Sequence, residues 1–332
     1  MSPRTPQKSE SVIPSVEGTA TPQKSEITGP SVVGMITPRY KTPGKKKGGS
    51  VSDCFAELDR YTEANLKPNN EDVITVNTFN DRNVVFAGVF DGHGSAGVST
   101  LAAERMPGFF KEAFDEGKTP AEALQESYQR FESLINGEGE QRVARKLEDT
   151  FSLGNEEVEA ELSKRDESFS SRMYGMVGSC AVTVAIVNEE HGRTLVCANV
   201  GDSVAYLIRG DRVIRLSTIH DLSNKRERAR LADLPGGVIG NRVFGVLKVT
   251  RSLGDLSLRP GVLPEPAISI TRLEEEDDFL IMVSDGVTDK MQPDAIAREV
   301  RNARARQPAK TLVEKAIALQ TVDNVSAIVF KL

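Results

Sequence analysis

Short apolar runs punctuate the chain at residues 73–79, 84–90, 180–187, 194–200, 204–208, 213–216, 279–283 and 325–330. Each is rich in β-branched or aromatic residues and bounded by turn formers, the signature of strands. Arg209-Gly210-Asp211-Arg212 is placed to turn a hairpin between 204–208 and 213–216. A different period follows the first two runs. Leu124, Tyr128, Phe131 and Leu134 recur at helical spacing. They come after Thr119-Pro120-Ala121-Glu122, which supplies a capping hydroxyl, a proline in the first turn and a glutamate three residues on. Two more helical patterns occupy 294–305 and 310–319. Strands and helices come in runs rather than in strict alternation. That favours antiparallel sheets with helices packed outside them, an α+β fold, over a doubly wound parallel sheet.

Residues 1–50 have another texture. They are dense in Pro, Ser, Thr, Gly and Lys, with Tyr40 as their single aromatic, and are expected to be a disordered tail. The expected division is therefore a 1–50 tail and a 51–332 folded domain. A short repeat runs through the tail. Thr5-Pro-Gln-Lys-Ser-Glu10 returns as Thr21-Pro-Gln-Lys-Ser-Glu26, and a further Thr-Pro follows at Thr37. Within the folded part, 137–173 is charged, partly helical in pattern and placed like an insertion.

Composition then narrows the chemistry. The formal net charge of −6 argues against nucleic acid as a partner. No apolar run approaches the ~20 residues of a membrane span. Cys54, Cys180 and Cys197 form no CxxC pair, so a disulfide framework or zinc site is not expected and a reducing compartment, cytoplasm or nucleus, is. With three histidines in the chain, any metal must rely mainly on oxygen ligands.

Aspartates supply such ligands in one recurring setting. Phe90-Asp91-Gly92-His93-Gly94, Val200-Gly201-Asp202-Ser203, Val283-Ser284-Asp285-Gly286 and Val322-Asp323-Asn324 each set an aspartate beside the end or start of an apolar strand. A charge there is costly unless paired or bound to metal. Converged carboxylates repel and rise in pKa unless a divalent cation neutralises them. Hard oxygen ligands suit magnesium or manganese. Two such ions about 3.5–4 Å apart can activate water and hold both ends of an in-line displacement at phosphorus. A single Asp-Gly is more often only a turn.

The chain resembles the protein phosphatase 2C family, the metal-dependent serine/threonine phosphatases, through a series of motifs in the family's order. They are Asn70-Glu71-Asp72, Phe90-Asp91-Gly92-His93-Gly94, Gly178-Ser179-Cys180-Ala181, Ala198-Asn199-Val200-Gly201-Asp202-Ser203, Val249-Thr250-Arg251-Ser252-Leu253-Gly254-Asp255, Pro264-Glu265-Pro266, Ser284-Asp285-Gly286-Val287-Thr288-Asp289 and Asp323-Asn324. Each is weak alone; the ordered series is specific. The resemblance implies a four-layer αββα sandwich of two antiparallel sheets flanked by helices. It implies hydrolysis of phosphoserine and phosphothreonine by in-line attack of a metal-bridging water or hydroxide, with two Mg²⁺ or Mn²⁺ ions and a weaker third. Asp91 would bridge two metals and the Gly92 carbonyl would bind the second. Asp285 and Asp323 would hold the first, while Glu71 and Asp72 act near the second through waters. Asp202, Asp285 and Asp289 would hold the third. His93 would be the general acid, a role that suits histidine near neutral pH.

The sequence departs from the family at three places. Lys67 stands where an arginine often contacts phosphate, which keeps the charge and loses the bidentate fork; a solvated surface lysine is the alternative reading. Val204 replaces a frequent arginine and Thr288 a frequent tryptophan. Arg251 is expected to position a flap, and 256–264 to belong to it. His191 and His220 read as surface or loop residues, and Cys180 and Cys197 as inert core. In the tail, Thr5, Thr21 and Thr42 precede Pro-x-Lys, so a proline-directed kinase is a candidate partner; a regulated docking tail and a plain linker both remain open. Phosphoprotein substrates, a monomer, and no nucleic-acid or membrane partner complete the expectations. A phosphoprotein-binding scaffold without turnover is the alternative, and a small-phosphoester hydrolase a third; no metal aspartate is missing, against the scaffold.

Overall fold

A computed structural model describes residue 55 and residues 57–67, 69–151, 177–303 and 307–332, with side chains left aside in 138–151. The tail with its threonines, Cys54, and the 152–173 part of the charged segment lie outside the described residues.

Two antiparallel sheets face each other. One runs β1 (Glu57–Glu63), β13 (Val325–Lys331), β12 (Asp277–Val283), β6 (Val204–Arg209) and β7 (Arg212–Arg215). The other runs β11 (Ala267–Arg272), β5 (Gly192–Val200), β4 (Gly178–Glu189), β3 (Val84–His93) and β2 (Asp72–Phe79), with the short β10 (Leu253–Gly254) also on β4. The central strands are apolar at nearly every position because both their faces are covered. Along β3, Val85, Ala87 and Val89 point into the core between the sheets, while Val84, Phe86 and Phe90 pack under helices. Helices α1 (Gly97–Asp115) and α2 (Pro120–Phe151) cover that face. Tyr128 of α2 ties it down, its hydroxyl lying 3.0 Å from the Ala198 carbonyl. On the other outer face, α4 (Asp285–Thr288), α5 (Pro293–Asn302) and α6 (Pro308–Ala318) pack on β12 and β13. The result is the αββα sandwich.

The start signature of α2 is a reciprocal capping box. Glu122 N–H donates to Thr119 Oγ1 at 3.2 Å, and Thr119 N–H donates to the Glu122 carboxylate at 2.8 Å. The predicted hairpin turn closes on the Arg209–Arg212 pair. Several elements carry no clear signal in the sequence, among them α1, β1 and β11. Helix α1 holds Pro107-Gly108 in mid-helix, which reads as a break; its buried Ala102, Met106, Phe110 and Ala113 outweigh that cost through packing. Strands β1 and β11 are edge strands, half exposed and polar in alternation, so they lack an apolar run.

Between β7 and β11 lies a flap. It carries α3 (Lys225–Ala232) and the two-stranded hairpin β8 (Val238–Ile239) and β9 (Arg242–Val243), over a small core that includes Leu231 and Val243. Buried Glu227 is its anchor. Burial alone would raise this carboxyl, but Arg251 and Arg230 hold it down at about 2. Arg251 Nη2 is 2.6 Å away, and Arg251 Nη1 also donates to the Glu265 carbonyl at 2.9 Å. Arg251 thus has the flap-positioning role expected of it. His220 is the loop residue expected, but not a surface one. It is in a loop but only 1 % exposed, and its N–H donates to the Gly201 carbonyl at 3.0 Å, seaming the flap to the sheet. Burial and the nearby Arg251 lower its imidazole to about 4. His191 lies in an exposed turn, and Cys180 and Cys197 are buried.

Candidate metal centre and active site

The acidic residues gather where chain direction brings strand ends together. Asp72 opens β2 and pairs in register with Asp91, near the end of β3. In the other sheet, Asp285 follows β12 and Asp323 precedes β13, which pair antiparallel. Asp202 lies where the chain leaves β5 in one sheet for β6 in the other. Aspartates far apart in sequence therefore meet at one end of the sandwich. Asp289 sits on the exposed rim just after α4, its N–H donating to the Asp285 carbonyl at 2.8 Å.

Their titration reports the crowding. Burial first, then Asp72, Asp285, Asp202 and Asp323, push the Asp91 carboxyl well above the carboxylate range. Burial, with Asp202, Asp323 and Asp289, raises Asp285 to about 8. Burial raises Asp72 to about 6, against the relief of hydrogen bonds from Ser326 and Ser284. Asp202 is raised by burial too, partly offset by Cys180 Sγ at 3.2 Å from its Oδ1. Asp72 Oδ1 and Asp285 Oδ1 are buried and take no hydrogen bond. Like charges with unused lone pairs fit a divalent cation. Among the described residues no three acidic, His or Cys side chains already close around one point as a cage. An ion that keeps several waters does not require one.

The surrounding scaffold fixes this end. Buried Asn324 accepts from Glu71 N–H at 3.0 Å through Oδ1 and donates through Nδ2 to the Ala64 and Asn69 carbonyls. Asn65 Nδ2 donates to the Thr321 and Asp323 carbonyls at 2.7 and 3.1 Å. The intervening loop carries Lys67, whose ammonium pairs with the Asp323 carboxylate and lies 3.7 Å from Glu71. Burial would lower Lys67, but Asp323 outweighs it and raises its pKa. Lys67 therefore points into the cluster rather than into solvent. Gly92 must lack a side chain: a Cβ there would sit 2.6 Å from the Glu71 carbonyl oxygen and 2.8 Å from Ser99 Oγ.

His93 ends β3 across from Gly178 of β4. Its Nε2 lies 2.8 Å from Asp255 Oδ2. Asp255 is fully buried in a left-handed conformation (φ 51°), and the Ser252 hydroxyl donates to the same oxygen. A carboxylate offers only acceptors, so the ring gives Nε2–H to it. Gly178 makes the contact possible, since a Cβ there would lie 2.2 Å from Asp255 Oδ2 and 2.6 Å from His93 Nε2. The β10 hairpin that presents Asp255 is held from α2, where buried Glu132 accepts from Gly254 N–H at 2.8 Å and from Arg259 Nη2 at 2.9 Å. Asp255 lies within a sequence motif that by itself assigns it no role. Asn324 and Ser284 likewise carry none in theirs, although all three are polar residues in strand-end motifs, where a buried polar group needs a partner.

A measurable consequence follows from the raised carboxyls. Between about pH 4 and pH 8 the folded protein retains protons that the unfolded chain has released, so metal-free stability falls as pH rises. A divalent cation replaces those protons. At an Mn²⁺ concentration a hundredfold above its Kd at pH 8, the melting temperature is expected to rise by roughly 5–10 °C there, and by much less at the same Mn²⁺ concentration at pH 5.5, where protons compete. Equal shifts at both pH values would contradict a cation site here.

Two antiparallel sheets between helices, meeting at one end in a knot of aspartates, define the class of domain: an αββα sandwich with an acidic centre. A family model described as protein phosphatase 2C matches residues 63–325, and the chain belongs to that family. It is 35 % identical over 261 residues to "Probable protein phosphatase 2C 68" of Oryza sativa subsp. japonica, an alignment taking in 74 % of this chain and 67 % of that one. Over 225 residues it is 36 % identical to "Probable protein phosphatase 2C 6" of the same plant, covering 65 % of this chain and 44 % of that one. The chain thus spans between about half and two thirds of the length of these relatives. Among solved structures, a serine-threonine phosphatase 2C from Toxoplasma gondii shares the fold with a TM-score of 0.61 at 17 % identity, covering 82 % of this chain and 94 % of that one. A C. elegans sex determining protein does so with a TM-score of 0.64 at 21 % identity, covering 83 % and 64 %.

Proposed function

We propose that this chain hydrolyses phosphoserine and phosphothreonine esters in proteins with the help of bound Mg²⁺ or Mn²⁺. The observation that carries the reading is the convergence of Asp72, Asp202, Asp285 and Asp323 on Asp91. Asp91 and the Gly92 carbonyl would hold a pair of ions between them, with Asp285 and Asp323 on one side, Glu71 and Asp72 on the other, and Asp202 with Asp289 at a weaker third position. When bound, such ions supply an activated water and offset the charge of the phosphate.

The chain's own groups do the rest. Lys67 is the counter-charge of Asp323 while the carboxylates are unneutralised. Once they are neutralised, its ammonium is free to hold a phosphate oxygen. Asp255 fixes the His93 ring through Nε2–H, which leaves Nδ1 as the nitrogen available to the ester. As the imidazolium, which the Asp255 carboxylate would stabilise, His93 also carries a proton on Nδ1 and would give it to the departing seryl or threonyl oxygen, which as an alkoxide would be a poor leaving group, returning to the neutral Nε2–H form.

The test is release of inorganic phosphate from a phosphoserine peptide by the purified chain, with Mn²⁺, with Mg²⁺ and after chelation. Release that depends on either ion is expected. No release with either ion would overturn the proposal and favour a binding scaffold.

A further inference from the structure

The flap differs in charge from the rest of the molecule. From 221 to 251 it holds seven basic residues (Lys225, Arg226, Arg228, Arg230, Arg242, Lys248 and Arg251) against three acidic ones (Asp221, Glu227 and Asp233). That is a surplus of four positive charges within a chain of net charge −6. Part of it is structural, because Arg230 and Arg251 are consumed by Glu227. Lys225, Arg226, Arg228 and Lys248 are not: all four are exposed, and none makes an ion pair among the described residues.

Two of these free cations converge. Arg228 of α3 and Lys248 line a cavity of about 340 Å³ together with Asp221, Leu222, Ser223 and Asn241. The one acid in the lining, Asp221, is turned toward Ser223. Asp221 Oδ1 accepts from Ser223 N–H at 2.9 Å and from the Ser223 hydroxyl at 2.6 Å. Against that single carboxylate stand the Arg228 guanidinium and the Lys248 ammonium, with the exposed Asn241 amide beside them, and neither cation makes an ion pair among the described residues.

The recess adjoins the metal centre. His220, the residue before Asp221, donates its N–H to the carbonyl of Gly201, the residue before Asp202. Asp221 is near enough for its charge to act on Asp202.

We infer that the Arg228–Lys248 recess binds an anionic side chain of the phosphoprotein substrate, a carboxylate or a second phosphate on a residue flanking the ester being cleaved. This rests on the phosphatase reading and adds a substrate class to it. A peptide reaching the acidic centre is repelled there if it is itself acidic; the flap cations reverse that bias on one side of the site. Arginine and lysine suit carboxylate and phosphate alike, so the chemistry is shared and the source is left to the test.

The test compares phosphoserine peptides on the Mn²⁺-loaded protein. One set has neutral flanks, one has aspartate two to four residues to either side, one has a second phosphoserine there, and one has lysine. On one side of the phosphoserine, acidic flanks are expected to raise kcat/KM by about 3–10-fold over neutral ones, mostly through KM, and the gain should shrink with salt. A larger gain for the second phosphoserine than for aspartate identifies phosphate as the preferred group; the reverse identifies carboxylate. In the double variant Arg228→Glu and Lys248→Glu the preference should pass to the lysine peptides, while turnover of p-nitrophenyl phosphate, too small to reach the flap, stays unchanged. Equal kcat/KM for acidic and neutral peptides would overturn the inference and leave the phosphatase reading intact. No release from any peptide or from p-nitrophenyl phosphate would overturn the phosphatase reading itself.

Discussion

Asp91→Asn is expected to cut phosphate release by about 10³-fold or more, since the cation-held water it would help place contributes several kcal/mol of barrier lowering. The same substitution should raise the melting temperature of the metal-free protein. The reason is the crowding at the site. Asp91 lies among Asp72, Asp285, Asp202 and Asp323, and its burial with them lifts its pKa well above that of a free carboxyl. Above about pH 4 the unfolded chain would ionise this group without penalty, whereas the folded chain either keeps a proton or bears the repulsion. Asparagine is nearly isosteric and removes the charge, so metal-free folding gains. With Mn²⁺ the order reverses, because the wild type gains an ion that the variant holds poorly. Melts with chelator and with Mn²⁺, set beside the assay, read both signs. Wild-type activity in the variant would remove Asp91 from the site.

Replacing His93 by glutamine should lower turnover of a phosphoserine peptide by about 10²–10⁴-fold, the range of general acid catalysis. Turnover of p-nitrophenyl phosphate should change only a few-fold, because its phenolate departs without a proton. Asp255→Asn is expected to show the same selectivity in weaker form. His93 Nε2 lies 2.8 Å from a carboxylate that is fully buried. Loss of a charge-assisted hydrogen bond is worth about ten- to a hundredfold. The contrast between the two esters is the decisive readout. A structural role for Asp255 would lower both rates together, whereas a role in aiming the acid lowers only the one that needs a proton.

The central strands and most of the site were legible in the sequence for one physical reason: burial on both faces writes an uninterrupted apolar run, and an aspartate at its end stands out. The strings around Asp91, Asp202, Asp285 and Asp323 each carried that mark. What sequence could not supply was the partner. Asp255 meets His93 across 162 residues of chain, and Asn324 reaches the main chain of Glu71 across 253. Helix α1 hid behind Pro107-Gly108, although its buried stripe of Ala102, Met106, Phe110 and Ala113 keeps a helical period. The edge strands β1 and β11 owe their form to neighbours and carry little signal of their own. His220 looked like a loop residue because it is one; that the loop is buried depends on the flap folding back over Gly201.

The carboxylates come from both sheets, Asp72 and Asp91 from one and Asp285 and Asp323 from the other. Apolar packing along the interior draws the two sheets together, while charge at one end drives them apart. The sandwich is in this sense sprung at its acidic end. A bound ion would act there as a clasp, coupling two halves that are otherwise joined chiefly by their shared apolar interior. Occupancy of the site would then be felt as mechanical stiffness across the whole interface, well beyond the residues that touch the ion.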